Sequence, residues 1–154
     1  AAAGLVIVVL LAFTWFFEDL PQAVLSAIVH NYRDEKKSVA VSLEIPGGMC
    51  DPGEAPRNAA RRELLEETGL TARSWREIGR WELSNSVTDE TAVAYLATDL
   101  RQGAARPDGE EVLEFRWLPF DEVMAMIERG QITDALTVLP MQALALERAR
   151  NGSD

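Results

Sequence analysis

Alternation of apolar and polar residues predicts several β-strands along this chain. The alternation is clearest over residues 39–45, whose even positions are small or polar and whose odd positions form one apolar face, as in a half-buried strand. That face carries Val39, Val41, Leu43 and Ile45. Pro46, Gly47 and Gly48 follow, and they predict a turn because Pro donates no ladder hydrogen bond and glycine permits sharp bends. Runs rich in aliphatic and aromatic residues predict further strands at 23–29, 75–83, 92–98 and 112–118.

A change of pattern predicts a helix over residues 55–68. Pro56 suits the first turn of a helix, and Gly69 stands where a glycine commonly follows a helix end. Ala and Leu fill the middle of the segment, as good helix formers do.

Two more helices are predicted near the carboxyl end. Asp121 is expected to cap a helix that runs through Glu128, with Gly130 ending it. Thr133 is expected to cap a final helix, which Pro140 would kink or split. The order of strands, helix, strands and helices predicts an α+β (mixed α/β) sandwich with helices flanking a sheet.

The amino end is uncharged over residues 1–17. A membrane span needs about 20 apolar residues, and no basic segment precedes the run as it would in a secretory signal. We therefore expect one or two core or interface strands, with a membrane anchor or signal remnant as the alternative. Residues 1–154 are then predicted to form a single domain, with 1–21 assigned only as amino-terminal strands.

Composition narrows the class of partner. The 154 residues carry a net charge of −10, which disfavours a surface that grips the nucleic-acid backbone. Cys50 is the single cysteine, so the chain forms no internal disulfide and no multi-cysteine zinc site, and a reducing, cytoplasmic location is predicted. The surplus acidic residues either are solvated or are gathered to hold divalent cations.

Three carboxylates on the predicted 55–68 helix point to the second explanation. Because successive helical residues turn by about 100°, Glu63, Glu66 and Glu67 fall within one arc of the helix surface. Glu63 and Glu67 are four residues apart and repel each other, and a hard cation such as Mg²⁺ would relieve that repulsion. The alternative is an ordinary solvated helix with ion pairs.

The spacing of the flanking residues decides between these alternatives. From Gly48 to Leu70 the chain reads G-x5-E-x7-R-E-L-x-E-E-x-G-L. This segment resembles the box of the Nudix hydrolase family at every specified position over 23 residues. The resemblance implies an α/β/α sandwich with a mixed central sheet, in which the box forms loop, helix and loop.

The resemblance also implies an activity and a set of roles. Nudix enzymes hydrolyse a phosphoanhydride in a nucleoside diphosphate linked to another moiety, with Mg²⁺ or Mn²⁺ as cofactor. By the family pattern the catalytic metal ligands are the carboxylates of Glu63, Glu66 and Glu67 and the backbone carbonyl of Gly47. Further box roles fall to an orienting ion pair and two turn-forming glycines, namely Arg62 with Glu54, and Gly48 with Gly69.

Segments outside the box resemble the ADP-ribose and ADP-sugar pyrophosphatase branch. They are Asn31-Tyr32-Arg33, Leu43 to Gly48, Trp117-Leu118-Pro119 with Asp121-Glu122, and Gly130-Gln131-Ile132 with Asp134-Ala135 and Thr137. This branch implies a nucleotide-sugar substrate, AMP and a sugar phosphate as products, and a homodimer to which the apolar amino end would contribute. Substrate contacts are expected from Arg33, Glu44 and Glu90. The loop at 84–90 departs from the branch, because Asn85 and Ser86 replace its Pro-Gly pair.

The resemblance to the ADP-ribose branch also implies a general base on a loop before the late strand. Glu111 is the first candidate there and Glu110 the second, beside a glycine that would let the loop close over substrate. Glu66 is the alternative within the box. Two other functions stay open: hydrolysis of a nucleoside triphosphate or dinucleoside polyphosphate, and binding of a nucleotide-sugar without cleavage.

Overall fold

A computed structural model describes residues 5–11, 24–32, 40–84, 86–87, 89–102 and 113–152. These residues form seven strands and three helices. The strands are β1 (Leu5–Leu11), β2 (Val24–Tyr32), β3 (Ala40–Glu44), β4 (Gly47–Met49), β5 (Leu70–Glu82), β6 (Thr91–Gln102) and β7 (Leu113–Pro119). The helices are α1 (Pro56–Thr68), α2 (Phe120–Glu128) and α3 (Ala135–Asn151).

The strands form two sheets. Four strands in the order β4-β1-β6-β5 form the first, in which β1 and β6 run parallel and the other neighbours antiparallel. The predicted mixed sheet is confirmed. The second sheet, β3-β2-β7, is antiparallel and was not expected as a separate layer. Strand β4 was expected as a turn, but its residues pair with β1 at the sheet edge, where glycines are tolerated.

Strand β6 lies between two hydrophobic cores. Val93, Tyr95 and Ala97 pack on the side of α1, whereas Ala94 and Leu96 pack with α2 and α3. Both faces of the strand are therefore covered, which explains the unbroken apolar run in its sequence. Helix α1, which carries the site described below, packs against one of these two covered faces.

The carboxyl-terminal helices begin at residues other than those predicted. Pro119 is the N-cap of α2, so Asp121 lies in the first helical turn, where a carboxylate still suits the helix dipole. Asp134 caps α3 in place of Thr133, because its side chain accepts a hydrogen bond from the Thr137 N–H. Helix α3 also continues through Pro140 as one element, so Pro140 does not split it, and the alternative of a kink stays a prediction.

The uncharged amino end contributes a core strand. Strand β1 pairs with β4 on one edge and with β6 on the other. Residues 5–11 therefore have no open sheet edge for a second copy of the chain, and the dimer contact expected of residues 1–17 stays a prediction. No helix in the part of the chain that is described has the length and apolarity needed to cross a membrane.

Candidate active site

Helix α1 carries its three carboxylates at the edge of its buried face, where Glu63, Glu66 and Glu67 are all half-buried. The buried face consists of Ala59, Ala60, Leu64 and Thr68. Gly69 ends the helix with a left-handed backbone (φ 70°), and its N–H donates to the Leu65 carbonyl oxygen over 2.9 Å. Strand β5 starts at the next residue, earlier than the predicted residue 75.

The guanidinium of Arg62 binds several oxygen atoms at once. Its Nη1 lies 2.8 Å from Glu63 Oε1 and 3.2 Å from Glu66 Oε2. Its Nη2 lies 3.0 Å from Glu54 Oε2 and 2.9 Å from the Met49 carbonyl oxygen. Hydrogen bonding to Glu54 raises the pKa of Arg62, and the same bond lowers the pKa of Glu54. One cation thus ties the box loop, strand β4 and two carboxylates of α1 together.

The Glu63 carboxylate lies directly against Gly48. A Cβ atom at Gly48 would overlap the carboxylate oxygen atoms, so only glycine permits this approach. The Glu63 side chain is 14% exposed. Burial raises the pKa of Glu63 and outweighs the opposing effect of Arg62. A bound cation would offset the energetic cost of keeping this carboxylate charged.

The Glu67 carboxylate contacts Gly47, the residue that precedes Gly48. The Gly47 N–H donates to Glu67 Oε2 over 3.2 Å. Two carboxylates of α1 therefore converge on consecutive glycines, Gly47 and Gly48. The backbone of these glycines also carries carbonyl oxygen atoms, which are hard ligands like the carboxylates.

The donor set at the two glycines suits a hard divalent cation. Mg²⁺ in proteins is typically held by one or two carboxylates together with substrate phosphates and water, and Glu63 and Glu67 supply two. Among the side chains described, no three of His, Cys, Asp or Glu are arranged to hold a metal ion. Glu66, the expected third ligand, lies 3.2 Å from Arg62 Nη1, the nitrogen that also contacts Glu63.

The structure describes two of the other predicted site residues, Glu44 and Glu90. Glu44 ends β3, three residues before Gly47. Glu90 precedes β6, and its carbonyl oxygen accepts from the Leu83 N–H over 3.1 Å. The strand register sets the start of β6 level with Met49, with β1 between them. Loop 83–90 and the box loop therefore leave the same end of the sheet. Arg33, Glu110 and Glu111 lie outside the described residues.

Comparison with known proteins gives this geometry a context. Residues 25–137 match the NUDIX domain family. The chain is 34% identical over 125 residues to a methanol dehydrogenase activator of Bacillus methanolicus, covering 79% of this chain and 66% of that protein. It is 33% identical over 105 residues to an ADP-ribose pyrophosphatase of Mycobacterium tuberculosis, covering 66% of this chain and 50% of that protein.

A solved structure supports the same fold. The structure of an ADP compounds hydrolase superposes with a TM-score of 0.75 at 20% sequence identity, covering 99% of this chain and 77% of that one. The chain spans between half and two thirds of the length of the two curated relatives named above. The family match covers most of the chain and includes the helix that carries the carboxylates. This chain therefore belongs to the NUDIX domain family.

Proposed function

We propose that this chain hydrolyses a phosphoanhydride bond in a nucleoside diphosphate linked to another moiety. The proposed substrate is ADP-ribose or an ADP-sugar, and the products are AMP and a sugar phosphate. The observation that carries the proposal is the convergence of Glu63 and Glu67 on Gly47 and Gly48. The substrate class is supported by the relative named as an ADP-ribose pyrophosphatase, to which the chain is 33% identical.

Mg²⁺ or Mn²⁺ is the proposed cofactor. Glu63, Glu67 and the Gly47 carbonyl oxygen would hold it, with Glu66 as a further ligand. When bound, such an ion neutralises diphosphate charge and lowers the pKa of a coordinated water. Arg62 and Glu54 position the box, because their contacts join its loop to α1 and β4.

The reaction consumes one water molecule. The water oxygen forms a bond to one phosphorus atom, the bridging P–O bond breaks, and the departing phosphate keeps the bonding electron pair. We assign acceptance of the water proton to Glu111, with Glu110 and Glu66 as the other candidates. Arg33, Glu44 and Glu90 are proposed to contact the substrate.

Assembly and location complete the proposal. We propose a cytoplasmic homodimer, for which the single cysteine, suited to a reducing compartment, supports the location. Because both edges of β1 are occupied within the chain, the proposed dimer would not form by sharing an edge of that strand. Light scattering tests the assembly, and a monomeric mass would contradict it.

A substrate panel with and without Mg²⁺ tests the activity. We expect AMP to appear from ADP-ribose or ADP-glucose, to stop on chelation with EDTA and to return when Mg²⁺ is added. Turnover of only nucleoside triphosphates or dinucleoside polyphosphates would favour the alternative enzyme class. Tight binding with recovery of intact nucleotide-sugar would favour a non-catalytic binding module.

Substitution of Glu67 by Gln tests the role of the carboxylate. The change is nearly isosteric and removes the charge, so we expect kcat/KM to fall by at least about 100-fold. That value is the upper end of the loss caused by changing a residue behind a metal ligand, and Glu67 is proposed as a ligand itself. The matched control is Glu128→Gln, since Glu128 is exposed at the end of α2. Equal activity of the two variants would contradict the role of Glu67.

A further inference from the structure

Thr137 connects the last helix to the segment that leads into the box. It lies in the first turn of α3 and is 1% exposed. Its Oγ1 accepts a hydrogen bond from the Ile45 N–H over 3.1 Å, between residues 92 positions apart in the chain. Ile45 is itself buried in the core that α2 and α3 share. This hydroxyl is thus a buried polar contact between two distant parts of the fold.

Asp134 fixes the direction of that hydrogen bond. The Thr137 hydroxyl lies 2.9 Å from Asp134 Oδ2, and the Thr137 N–H donates to the same oxygen over 2.8 Å. An ionised carboxylate only accepts hydrogen bonds, so the hydroxyl proton points to Asp134. The hydroxyl oxygen therefore presents a lone pair to the Ile45 N–H.

The lead-in segment, residues 45–47, is consequently held at both ends. Its first N–H binds Thr137 of α3, and its last N–H binds Glu67 of α1. Pro46 between them has a fixed φ and no N–H, so the segment has little freedom to absorb a displacement. A shift of Ile45 would pass directly to Gly47.

We propose that Thr137 and Asp134 are positioning residues for the catalytic centre. They hold the lead-in segment so that the Gly47 backbone lies beside the carboxylates of Glu67 and Glu63. This inference rests on the proposed function only in that the same glycines and carboxylates bind a divalent cation. Thr137 and Asp134 touch neither the cation nor the substrate, and they act through the position of Gly47.

The test measures Mn²⁺ affinity without substrate, by the electron paramagnetic resonance signal of free Mn²⁺. Thr137→Val keeps the side-chain shape and removes the acceptor, and we expect Mn²⁺ binding about tenfold weaker, as for loss of an outer partner of a metal ligand. Thr137→Ser keeps the hydroxyl, and its Mn²⁺ affinity should lie within about twofold of the wild-type affinity. Asp134→Ala, at the helix start, serves as a second variant if Thr137→Val does not fold, and it should weaken binding in the same direction.

Val123→Ala controls for stability alone. Val123 is fully buried in the core that contains Ile45, and its truncation lowers the melting temperature while leaving both partners of the Ile45–Thr137 hydrogen bond in place. We expect its Mn²⁺ affinity to equal that of the wild type. An unchanged Mn²⁺ affinity in Thr137→Val would overturn the inference. A loss of Mn²⁺ affinity in Val123→Ala as large as that in Thr137→Val would overturn it too.

The readout separates this inference from the proposed function. If the wild type binds Mn²⁺ but cleaves nothing in the substrate panel, the proposed function fails while the affinities of the variants still decide the role of Thr137. If the wild type hydrolyses substrate and Thr137→Val binds Mn²⁺ normally, the positioning role alone fails. A wild type that binds no Mn²⁺ overturns both.

Discussion

At the scale of single residues, glycines serve two different purposes in this chain. Gly69 and Gly130 adopt positive φ values of 70° and 69°, which other residues adopt only with strain. Gly48 has no positive φ and is required for space, because the Glu63 carboxylate occupies the position of a side chain. The consequences of substituting these glycines should therefore differ.

Gly48→Ala should damage the site more than the fold. The added Cβ would push the Glu63 carboxylate away from the box loop, and we expect at least about a tenfold loss of kcat/KM from displaced ligands. Gly130→Ala is the control, since a Cβ there meets no atom within 4 Å. Its left-handed backbone should cost about 1 kcal/mol of unfolding free energy with unchanged activity. The reverse pattern would contradict the assignment.

The thiol of Cys50 should react slowly with alkylating reagents. Burial raises the pKa of Cys50, and the neighbouring carboxylate of Glu54 raises it further. Since the thiolate is the reactive form, iodoacetamide at pH 8 should label Cys50 more slowly than it labels glutathione. Unfolding in urea should remove the difference. Labelling of the folded protein as fast as glutathione would contradict this prediction.

At the scale of elements, a β-bulge in β5 distributes two tryptophans between the two cores. Glu77 pairs with Tyr95 but Gly79 pairs with Ala94, so Ile78 is the extra residue. Trp75 consequently packs on the side of α1, and Trp81 packs with the core of α2 and α3. Strict alternation would have placed both rings on one face, since they are an even number of residues apart.

Gly79→Ala should destabilise the fold, because a Cβ there would overlap the Trp81 ring. We expect a loss of about 1–3 kcal/mol in the free energy of unfolding by urea, as for other overpacked sites. The double variant Gly79→Ala/Trp81→Phe tests the cause, since the atoms that clash belong to the outer ring of the indole. Its loss should be smaller than the sum of the two single losses. Simple additivity would indicate that the ring is not responsible.

At the scale of the whole molecule, an acidic protein is proposed to bind an anionic substrate. The net charge of −10 repels a nucleotide diphosphate at long range, whereas a bound divalent cation would attract it only at the site. Salt screens interactions beyond about 8–10 Å at ordinary ionic strength. As the ionic strength rises, the long-range repulsion should therefore weaken while binding within the site persists.

Raising ionic strength should increase the rate of productive encounter. At constant free Mg²⁺, a change from about 20 to about 200 mM KCl should raise kcat/KM by about twofold as repulsion is screened. The control is the same titration with an uncharged osmolyte in place of KCl, which leaves the ionic strength unchanged. A steep fall of kcat/KM with KCl would show that local positive charge dominates the encounter.

The sequence by itself determined the helix that carries the site. Pro56, Gly69 and the spacing of Glu63 and Glu67 act through local geometry, so a single stretch of chain contains the information. The mixed sheet was predictable only through the resemblance to the Nudix family, since alternation and apolar runs report which faces of a strand are buried but not the direction of its neighbours. The helix boundaries were less predictable. Helix α2 begins at Phe120 after Pro119, which makes no side-chain capping hydrogen bond, and at α3 the adjacent Thr133 and Asp134 could each supply the cap that Asp134 provides.

Tertiary structure alone decided how distant residues meet. The Ile45 N–H finds Thr137 across 92 positions, and nothing in either local pattern specifies that pairing. Arg62 likewise contacts both Glu63 and Glu66, while Glu63 and Glu67 converge on the two glycines. The helical wheel places three carboxylates on one face but cannot assign their partners. Those partners are set by the packing of α1 and α3 against the sheet, which depends on contacts across the whole chain.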